Sequence, residues 1–312
     1  MLFILKRVLS TIPVLLLVAL IVFAMLRLTP GDPAAALVGN NGTSADIARI
    51  RESLGLNEAL PIQFMHWATK VARGDLGESY YMKQSVTHLI AQRIGPTVCL
   101  TLLTMFMTLL VAIPLGLLAA WRHGGWLDRS LMGFSVMGFS VPTFVIGYIL
   151  IWAVALHWKL LPVQGYTPLT ESFSAWLSHL ILPAFTLSIV YLALIARVTR
   201  ASVAEALTED YIRTAHSKGL SELRILLRHA LANAAVPIVT VIGIGVGLLI
   251  GGVVVTETVY AIPGLGQLTV DAVLGRDYPL IQGITLFFSF VYVLINLLVD
   301  LSYLVLDPRI RY

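Results

Sequence analysis

The fold is decided most clearly by residues 94–121, which read IGPTVCLTLLTMFMTLLVAIPLGLLAAW. This stretch contains no Asp, Glu, Lys or Arg, and it is longer than the about 20 apolar residues that a helix needs to cross a bilayer. Lipid offers no partner to unpaired backbone N–H and C=O groups, so an open strand cannot span it. The strands of a membrane barrel are much shorter than this stretch. Residues 94–121 are therefore predicted to form a membrane-spanning helix.

The composition of the whole chain also indicates a membrane protein. Hydrophobic residues make up 58% of the 312 residues and charged residues only 12%, whereas about 25% of a soluble globular protein is charged. Such a chain cannot cover itself with polar surface in water. The stretches that are long enough to span and lack Asp, Glu, Lys and Arg are 8–26, 94–121, 130–158, 172–196, 230–256 and 278–299. The sequence thus predicts an all-α membrane protein with six transmembrane helices.

The first of these stretches could also be a secretory signal peptide, because it follows Lys6 and Arg7. Its apolar run is longer than the about 7–15 residues of a signal core. The next residues, Thr29-Pro30-Gly31-Asp32-Pro33, offer no small-residue cleavage site. We therefore expect the first stretch to be a helix that the protein keeps.

The placement of Lys and Arg predicts the direction in which the chain crosses. With six spans both ends lie on one side, together with the second and fourth loops between spans. The basic residues on that side are Lys6, Arg7, Arg122, Arg129, Arg197, Arg200, Arg213, Lys218, Arg224, Arg228, Arg309 and Arg311. The two short loops on the other side contain only Lys159 and Arg276. Basic residues concentrate on the cytoplasmic side, so both termini are predicted to be cytoplasmic. The segment 29–93 is then outside, and a loop of this length crosses regardless of its charge.

The outer segment 29–93 is predicted to contain two short helices. One runs over 44–54 and ends at Gly55, and the other runs over 61–73 and ends at Gly74, with a proline in its first turn. The second helix is expected to lie on the bundle or the membrane surface through one apolar face. The residues of that face are Ile62, Met65, Trp67, Ala68 and Val71.

The cytoplasmic stretch 197–229 holds half of the basic residues that are assigned to the cytoplasmic side. It is predicted to form a helix over 201–216, a break at Gly219, and a second helix over 222–231 that Ser221 caps. The apolar residues that share one face of the second helix are Leu223, Leu226, Leu227 and Ala230. Two interpretations stay open: a basic hairpin on anionic headgroups, or a docking element that inserts into a groove of a cytoplasmic partner.

Enzymatic chemistry has little support in the sequence. The P-loop, H-E-x-x-H and G-x-S-x-G patterns are all missing, and a lone Cys99 gives neither a disulfide nor a cysteine metal site. We predict no catalytic residue, no metal site and no cofactor bound by this chain. A self-sufficient carrier or channel would usually show an inverted repeat and charges near mid-membrane, and neither is clear in this sequence. An intramembrane enzyme would need paired catalytic residues within the spans, which the sequence lacks.

The cytoplasmic stretch resembles a known motif. Arg213-Thr214-Ala215-His216-Ser217-Lys218-Gly219, followed by His229-Ala230-Leu231, is similar to the EAA loop of binding-protein-dependent ABC importer permeases. The glycine and the spacing match that loop. Arg213 and Thr214 stand where the family has Glu and Ala, and His229 and Ala232 stand where it has Ile and Pro.

Further motifs resemble one branch of that family in the right order along the chain. They are Thr29-Pro30-Gly31-Asp32-Pro33, Gly74-Asp75-Leu76-Gly77-Glu78-Ser79, Asp210-Tyr211-Ile212-Arg213-Thr214-Ala215 with Lys218-Gly219-Leu220-Ser221, Ile262-Pro263-Gly264-Leu265-Gly266, Arg276-Asp277-Tyr278-Pro279, and Leu306-Asp307-Pro308-Arg309-Ile310-Arg311-Tyr312. The branch is the dipeptide, oligopeptide and nickel importer permeases, and the resemblance is to their first permease subunit, the DppB-like one.

This resemblance implies a fold, partners and a location. The fold would be that of a type I ABC importer permease, with residues 1–93 as a first helix plus periplasmic segment, 94–305 as the transmembrane core and 306–312 as a cytoplasmic tail. The chain would be a multi-pass protein of the bacterial inner membrane and would pair with a homologous permease. Two cytoplasmic ATPases, which use ATP and Mg, would bind the 197–229 loop, and an extracytoplasmic binding protein would deliver the ligand. No nucleic acid takes part. Peptides are the expected ligands, with glutathione and nickel chelates as open alternatives.

Three groups of candidate site residues follow from these patterns. The residues expected to couple to the ATPase are Tyr211, Arg213, Thr214, Ala215, Lys218, Gly219, Leu220 and His229. The glycines expected to serve helix packing or the substrate pathway are Gly243, Gly247, Gly251 and Gly252. The residues expected at a periplasmic docking surface or gate are Glu257, Pro263, Gly264 and Gly266. For Glu257 and for Asp300 a structural or interfacial role is the alternative to a functional one. Kinks are expected at Pro114, Pro142 and Pro183.

Overall fold

The computed structural model describes residues 2–28, 43–53 and 55–306. Within them the chain is almost entirely helical, and the only β-type pairing is an isolated bridge between Glu78 and Ser85. The motif at 29–33 and the tail at 307–312 lie outside the described residues.

Five helices of the described part are long and apolar enough to cross a membrane. These helices are α1 (Leu2–Leu28), α4 (Val86–Trp121), α7 (Phe173–Ala206), α11 (Ala235–Val259) and α13 (Tyr278–Leu306). They contain all of the predicted stretches 8–26, 94–121 and 278–299, and most of 172–196 and 230–256. Pro114 and Pro183 lie inside α4 and α7, which stay continuous through them.

The predicted span 130–158 is not a single helix. Its chain forms α5 (Trp126–Ser140) and α6 (Thr143–Leu150), and a π-helical turn (Ile151–His157) continues α6. The axis of α6 is bent by 102° from that of α5, and the two helices are long and apolar enough to cross a membrane only as a pair. The cause lies at the junction, where Pro142 has no N–H to donate and forces Val141 out of the helical region to φ −99°, ψ 123°.

The outer segment contains the two expected short helices. The first, α2 (Ser44–Ser53), is followed by Gly55 at φ +66°, and the second, α3 (Leu60–Ala72), is followed by Gly74 at φ +83°. Glycine tolerates this left-handed conformation at a helix end, which other residues adopt only at a cost.

The α3 helix packs against the outer end of α1 through its aromatic residues. The rings of Phe64 and Trp67 lie 5.4 and 5.6 Å from the ring of Phe23. The Gln63 amide fixes the rotation of α3, since it donates hydrogen bonds to the carbonyl oxygens of Leu56 and Glu58 at 3.2 and 2.7 Å. Of the predicted apolar face Trp67 is packed, whereas Ile62 and Met65 are exposed.

The chain divides into two compact units. The first comprises residues 1–94 and 268–293, and we call it the N-terminal unit. The second comprises residues 95–267 and 294–312, and we call it the core unit. In the N-terminal unit the first and last spans are joined by the Gln282 side chain, which donates to the carbonyl oxygen of Val22 at 3.1 Å.

The core unit is organised around α7, the most buried of its spans. Leu180, Leu187 and Ile195 of α7 are fully buried among residues of α4, α6 and α11. A glycine allows α4 to approach α7 closely: a Cβ on Gly116 of α4 would lie 2.8 Å from the carbonyl oxygen of Ala196. Near one end of the unit the Tyr260 hydroxyl lies 2.8 Å from the Thr186 hydroxyl.

Candidate functional site

The stretch after α7 forms two short helices on either side of a glycine. The α8 helix (Asp210–Ser217) precedes Gly219, and α9 (Glu222–Arg224) follows it, continued by a π-helical turn (Ile225–Ala230) and by α10 (Leu231–Asn233). Gly219 has φ +72°, which confirms the predicted break. We call residues 207–234, which lie between α7 and α11, the coupling loop, after the role that the sequence resemblance implies for this stretch.

Two details of the predicted coupling loop are wrong. The helix predicted over 201–216 is interrupted, because α7 ends at Ala206 and Glu209 is extended at φ −71°, ψ 150° before α8 begins. An acidic Asp210 in the first turn favours a new helix start there. Ser221 does precede α9, but its side chain makes no capping hydrogen bond.

The inner face of the coupling loop is anchored to the ends of three spans. Its buried residues are Ile212, Ala215, Ile225, Leu226 and Ala230. They form one apolar cluster with Leu117 of α4, Val203 of α7 and Ile238 of α11. The loop therefore packs directly against all three spans.

The outer face of the coupling loop exposes large apolar side chains. Leu223 is 65% exposed and Leu227 is 49% exposed, whereas Leu226 and Ala230 are buried, so the prediction that these four residues share one face is wrong. The π-helical turn has more residues per turn than an α-helix, which shifts the side-chain register and brings Ile225 inward instead. Exposed leucines, together with the exposed Tyr211 on the same loop, are typical of a surface that a partner covers.

The predicted coupling residues do not all face the same way. Tyr211, Arg213, Thr214, Lys218 and Gly219 are exposed, Leu220 and His229 are half-buried, and Ala215 is buried. The predicted set is therefore brought together on one loop, but Ala215 serves its inner face.

Two ion pairs lie on the exposed surface of the coupling loop. Arg213 Nη1 lies 3.0 Å from Asp210 Oδ1 within α8, and both side chains are largely solvated, so this pair adds little stability. His216 Nδ1 lies 3.3 Å from Glu222 Oε1 across the break at Gly219. When protonated, His216 thus links α8 to α9.

The Tyr211 hydroxyl is kept neutral. Burial raises the pKa of Tyr211, the nearby Glu209 carboxylate raises it further, and a hydrogen bond with Asn233 works against the rise. At neutral pH this side chain is therefore an uncharged hydrogen-bonding group on the loop surface.

A buried ion pair that sequence reasoning missed joins α5 to α7. Arg200 donates from Nε to Asp128 Oδ1 at 2.8 Å and from Nη2 to Asp128 Oδ2 at 2.6 Å. The Gly124 N–H also donates to Asp128 Oδ2, at 2.9 Å. Two parallel charge-assisted hydrogen bonds fix both position and angle. The sequence did contain a signal, because Asp128 is the only acidic residue between Glu78 and Glu171.

The glycines of α11 meet different surroundings. A Cβ on Gly243 would lie 2.5 Å from Val299 Cγ2 of α13, and one on Gly252 would lie 3.0 Å from the Tyr191 hydroxyl. A Cβ on Gly251 would meet nothing within 4 Å. Gly247 is half-buried. Close packing therefore accounts for Gly243 and Gly252, whereas Gly251 leaves open space.

Glu257, at the end of α11, holds the start of α12 (Leu265–Leu274). Its carboxylate is fully buried. Oε2 accepts from the N–H groups of Gly266 and Gln267 at 2.7 and 3.1 Å, and Oε1 accepts from the Thr97 hydroxyl at 2.6 Å. An acidic group that receives the free N–H groups of a helix start is favourable there.

The remaining predicted gate residues surround the Glu257 carboxylate. Any Cβ on Gly264 would collide with it, and a Cβ on Gly266 would lie 2.5 Å from Val254 Cα. Pro263 is half-buried beside them. The structure thus brings Glu257, Pro263, Gly264 and Gly266 together. In this conformation the carboxylate of Glu257 is engaged within the chain and not open to a partner.

Two other acidic residues differ from Glu257. Asp277 is buried in the N-terminal unit, where the Ser79 hydroxyl and the N–H groups of Tyr80 and Tyr81 donate to its carboxylate. Asp300 is half-buried in α13. Among the residues that the structure describes, no cluster of three His, Cys, Asp or Glu side chains could hold a metal ion.

The architecture defines a class of protein: an all-helical, polytopic membrane protein with the fold of a type I ABC importer permease. A chain of the MetNI methionine ABC transporter, solved in inward-facing conformations, superposes with a TM-score of 0.60 at 18% identity, over 70% of this chain and 96% of that one. At this identity the likeness concerns the fold alone.

Family comparisons identify the chain more closely. Residues 112–312 match the model of the binding-protein-dependent transport system inner membrane component, and residues 1–101 match the N-terminal model of the same systems. The chain belongs to this family of multi-pass bacterial inner membrane permeases.

Two full-length relatives support the same assignment. A Sinorhizobium fredii protein named a probable peptide ABC transporter permease is 54% identical over 310 residues, which cover 99% of both chains. The glutathione transport system permease protein GsiC of Pectobacterium atrosepticum is 44% identical over 309 residues, which cover 98% of both chains. The DppB-like resemblance is thus confirmed.

Proposed function

We propose that this chain is the permease subunit through which an ATP-driven importer moves peptides across the inner membrane. The observation that carries the proposal is the 54% identity, over nearly the full length, to a relative named as a peptide permease. The ligand comes from the extracytoplasmic side after delivery by a binding protein, which agrees with the family's description as binding-protein-dependent.

Glutathione is the second candidate ligand. Its support is the 44% identity to the permease of a glutathione transport system, again over nearly the full length. Glutathione is itself a short peptide-like molecule, so the two candidates make similar demands on a pathway.

The proposed assembly places the energy source on other chains. A homologous permease completes the channel, and two cytoplasmic ATPases bind and hydrolyse ATP with Mg. Both termini of this chain lie in the cytoplasm, which the distribution of Lys and Arg supports. Residues 94–305 form the transmembrane core, residues 1–93 add a first span and a periplasmic segment, and the 306–312 tail is cytoplasmic.

The coupling loop transmits the ATPase movement. Its exposed residues Leu223, Leu227 and Tyr211 insert into a groove on the ATPase, as an amphipathic helix does in other helix-in-groove interfaces. Its buried residues, such as Ile212 and Ile225, rest on the ends of α4, α7 and α11. When ATP closes the two ATPases, the loop moves with them and tilts these spans, because close-packed interiors transmit displacement.

Uptake into proteoliposomes decides between the two ligands. The complex of two permeases and two ATPases is reconstituted with ATP inside, and its binding protein is added outside with a radiolabelled dipeptide or with radiolabelled glutathione. The proposal predicts that the labelled dipeptide accumulates inside the proteoliposomes. Unlabelled peptides should reduce this accumulation by competition, whereas glutathione should not. Accumulation of glutathione alone would transfer the assignment to the second candidate.

A further inference from the structure

The N-terminal unit contains a recess of about 470 Å³ that the transport cycle described above does not use. Its walls come from two segments that are far apart in sequence, one before α4 and one that runs from the end of α12 into the first turn of α13. The lining residues are Tyr81, Met82, Asp271, Ala272, Leu274, Gly275, Asp277 and Leu280. We call this cavity the outer recess.

The outer recess is held in shape by Asp277. Its Oδ1 accepts from the N–H of Tyr80 at 3.2 Å, and its Oδ2 accepts from the N–H of Tyr81 at 3.1 Å and from the Ser79 hydroxyl. The same residue begins α13, since the Leu280 N–H points at Oδ1 at 3.4 Å. One buried carboxylate thus ties both walls together.

Backbone strain on both sides of the recess supports a fixed shape. Lys83 has φ +53° and Arg276 has φ +52°, a left-handed conformation that residues other than glycine adopt at a cost of about 1 kcal/mol or more. Such strain persists only where the surrounding structure over-determines it, and it clusters at functional positions.

The walls of the recess present apolar groups and one solvent-facing carboxylate. Met82, Ala272 and Leu280 supply apolar surface, and the Asp277 carboxylate is occupied by its intrachain donors. Asp271 on the wall is exposed. This arrangement fits a Lys or Arg side chain, whose aliphatic stem lies along apolar surface while its charged end meets a carboxylate.

The rim of the recess is apolar although it lies outside the spans. Tyr81 is 79% exposed and Leu274 is 78% exposed. Tyr81 precedes α4, and Leu274 ends α12 before α13 begins, so neither belongs to a membrane-spanning helix. Exposed apolar groups at a concave site mark a surface for a macromolecular partner.

We infer that the outer recess receives a basic side chain of the extracytoplasmic binding protein, with Tyr81 and Leu274 packing around it. The inference rests on the proposed function, which puts a water-soluble binding protein on the side where these segments lie.

A binding titration tests this inference on the full complex. The assembled transporter in nanodiscs is titrated with its fluorescently labelled binding protein at low and at high salt. Asp271→Asn should raise the Kd about tenfold, the effect of removing one interfacial charge partner of about 1.4 kcal/mol, and Asp271→Lys should raise it further. The salt dependence of Kd should weaken in both variants.

Glu78→Gln is the matched control, because Glu78 is an exposed outer carboxylate of the same unit that does not line the recess. It should leave the Kd unchanged. Leu274→Ala should raise the Kd without altering its salt dependence. An unchanged Kd in Asp271→Asn and Asp271→Lys would overturn the inference, as would an equal effect of Glu78→Gln.

Crosslinking identifies the occupant directly. In a Cys99→Ser background, the Leu274→Cys variant carries a maleimide benzophenone on its new thiol, and the purified complex is irradiated with its binding protein. A crosslink to the binding protein supports the inference, and a crosslink only to the second permease overturns it. The two failures stay distinguishable: a wrong recess leaves wild-type uptake dependent on the binding protein, whereas a wrong function abolishes that dependence in the wild type.

Discussion

The Ser79 hydroxyl donates a hydrogen bond to the carboxylate of Asp277, which lies 198 positions further along the chain. This contact joins two of the motifs by which the sequence resembles its family, one at residues 74–79 and one at residues 276–279. The Ser79 oxygen also accepts from the Met82 N–H at 2.9 Å, so the turn before α4 depends on the same pair.

Replacing Asp277 should destabilise the outer part of the protein. Asn retains one acceptor oxygen, whereas Asp277 receives donors on both of its oxygens. Asp277→Asn should therefore lower stability by about 1–3 kcal/mol, the cost of buried donors without acceptors. This loss of stability is measured by heating the purified complex and quantifying the remaining folded complex by size-exclusion chromatography. Glu78→Gln is the solvated control, and an equal loss of stability in both variants would disprove this role of Asp277.

The glycines of α11 should respond differently to the same substitution. Gly243→Ala should destabilise by about 1–3 kcal/mol, because its methyl group would overlap Val299. Gly251→Ala should be neutral or stabilising, since the added methyl group meets open space and alanine favours a helix. Melting temperatures of the two variants give the comparison. Equal melting temperatures would show that close packing does not require a glycine at position 243.

The coupling loop should depend on Gly219 for coupling. Gly219→Asp places a charge on the exposed loop, and Gly74→Asp is its matched control, since both glycines have positive φ and open space around a Cβ. Gly219→Asp should reduce peptide uptake about tenfold, as expected for a misplaced interface charge worth about 1.4 kcal/mol. Uptake and binding-protein-stimulated ATPase activity are measured together. Full uptake in Gly219→Asp would remove the coupling loop from the mechanism.

The ion pair between Asp128 and Arg200 should show strong coupling in a double-mutant cycle. Arg200→Met leaves the buried Asp128 carboxylate without its ion-pair partner and should cost about 3 kcal/mol. Asp128→Ala should cost less, because the Arg200 guanidinium is partly exposed and keeps its contact with His123. The double variant should cost clearly less than the sum of the two, because no charge is then unpaired. Chemical denaturation of the purified permease provides the values. Strict additivity would mean that the two side chains do not stabilise one another.

Most of the spans could be predicted from the sequence because uncharged runs of this length have few alternatives. The only sign in the sequence of the break between Ser140 and Thr143 was Pro142. A proline in a membrane helix can kink it, break it or leave it continuous, and its neighbours decide which of these occurs. Pro183 inside the continuous α7 shows the other outcome. The pattern alone could not choose between them.

The candidate site was harder to predict than the spans. The shared apolar face predicted for Leu223, Leu226, Leu227 and Ala230 was wrong, because the prediction assumed an α-helical period and the chain forms a π-helical turn. The pairing of Glu257 with Thr97 joins residues 160 positions apart. No periodicity encodes such a tertiary pair, so the structural role of the Glu257 carboxylate emerged only from the fold.

The central claim is that this permease imports peptides with energy received from partner ATPases. Uptake of a labelled dipeptide by proteoliposomes tests it most directly, with the complete complex compared against this chain alone. The account predicts accumulation only when the second permease, the ATPases, ATP and the binding protein are all present. Equal accumulation by this chain alone, without ATP, would contradict it and indicate a self-sufficient carrier.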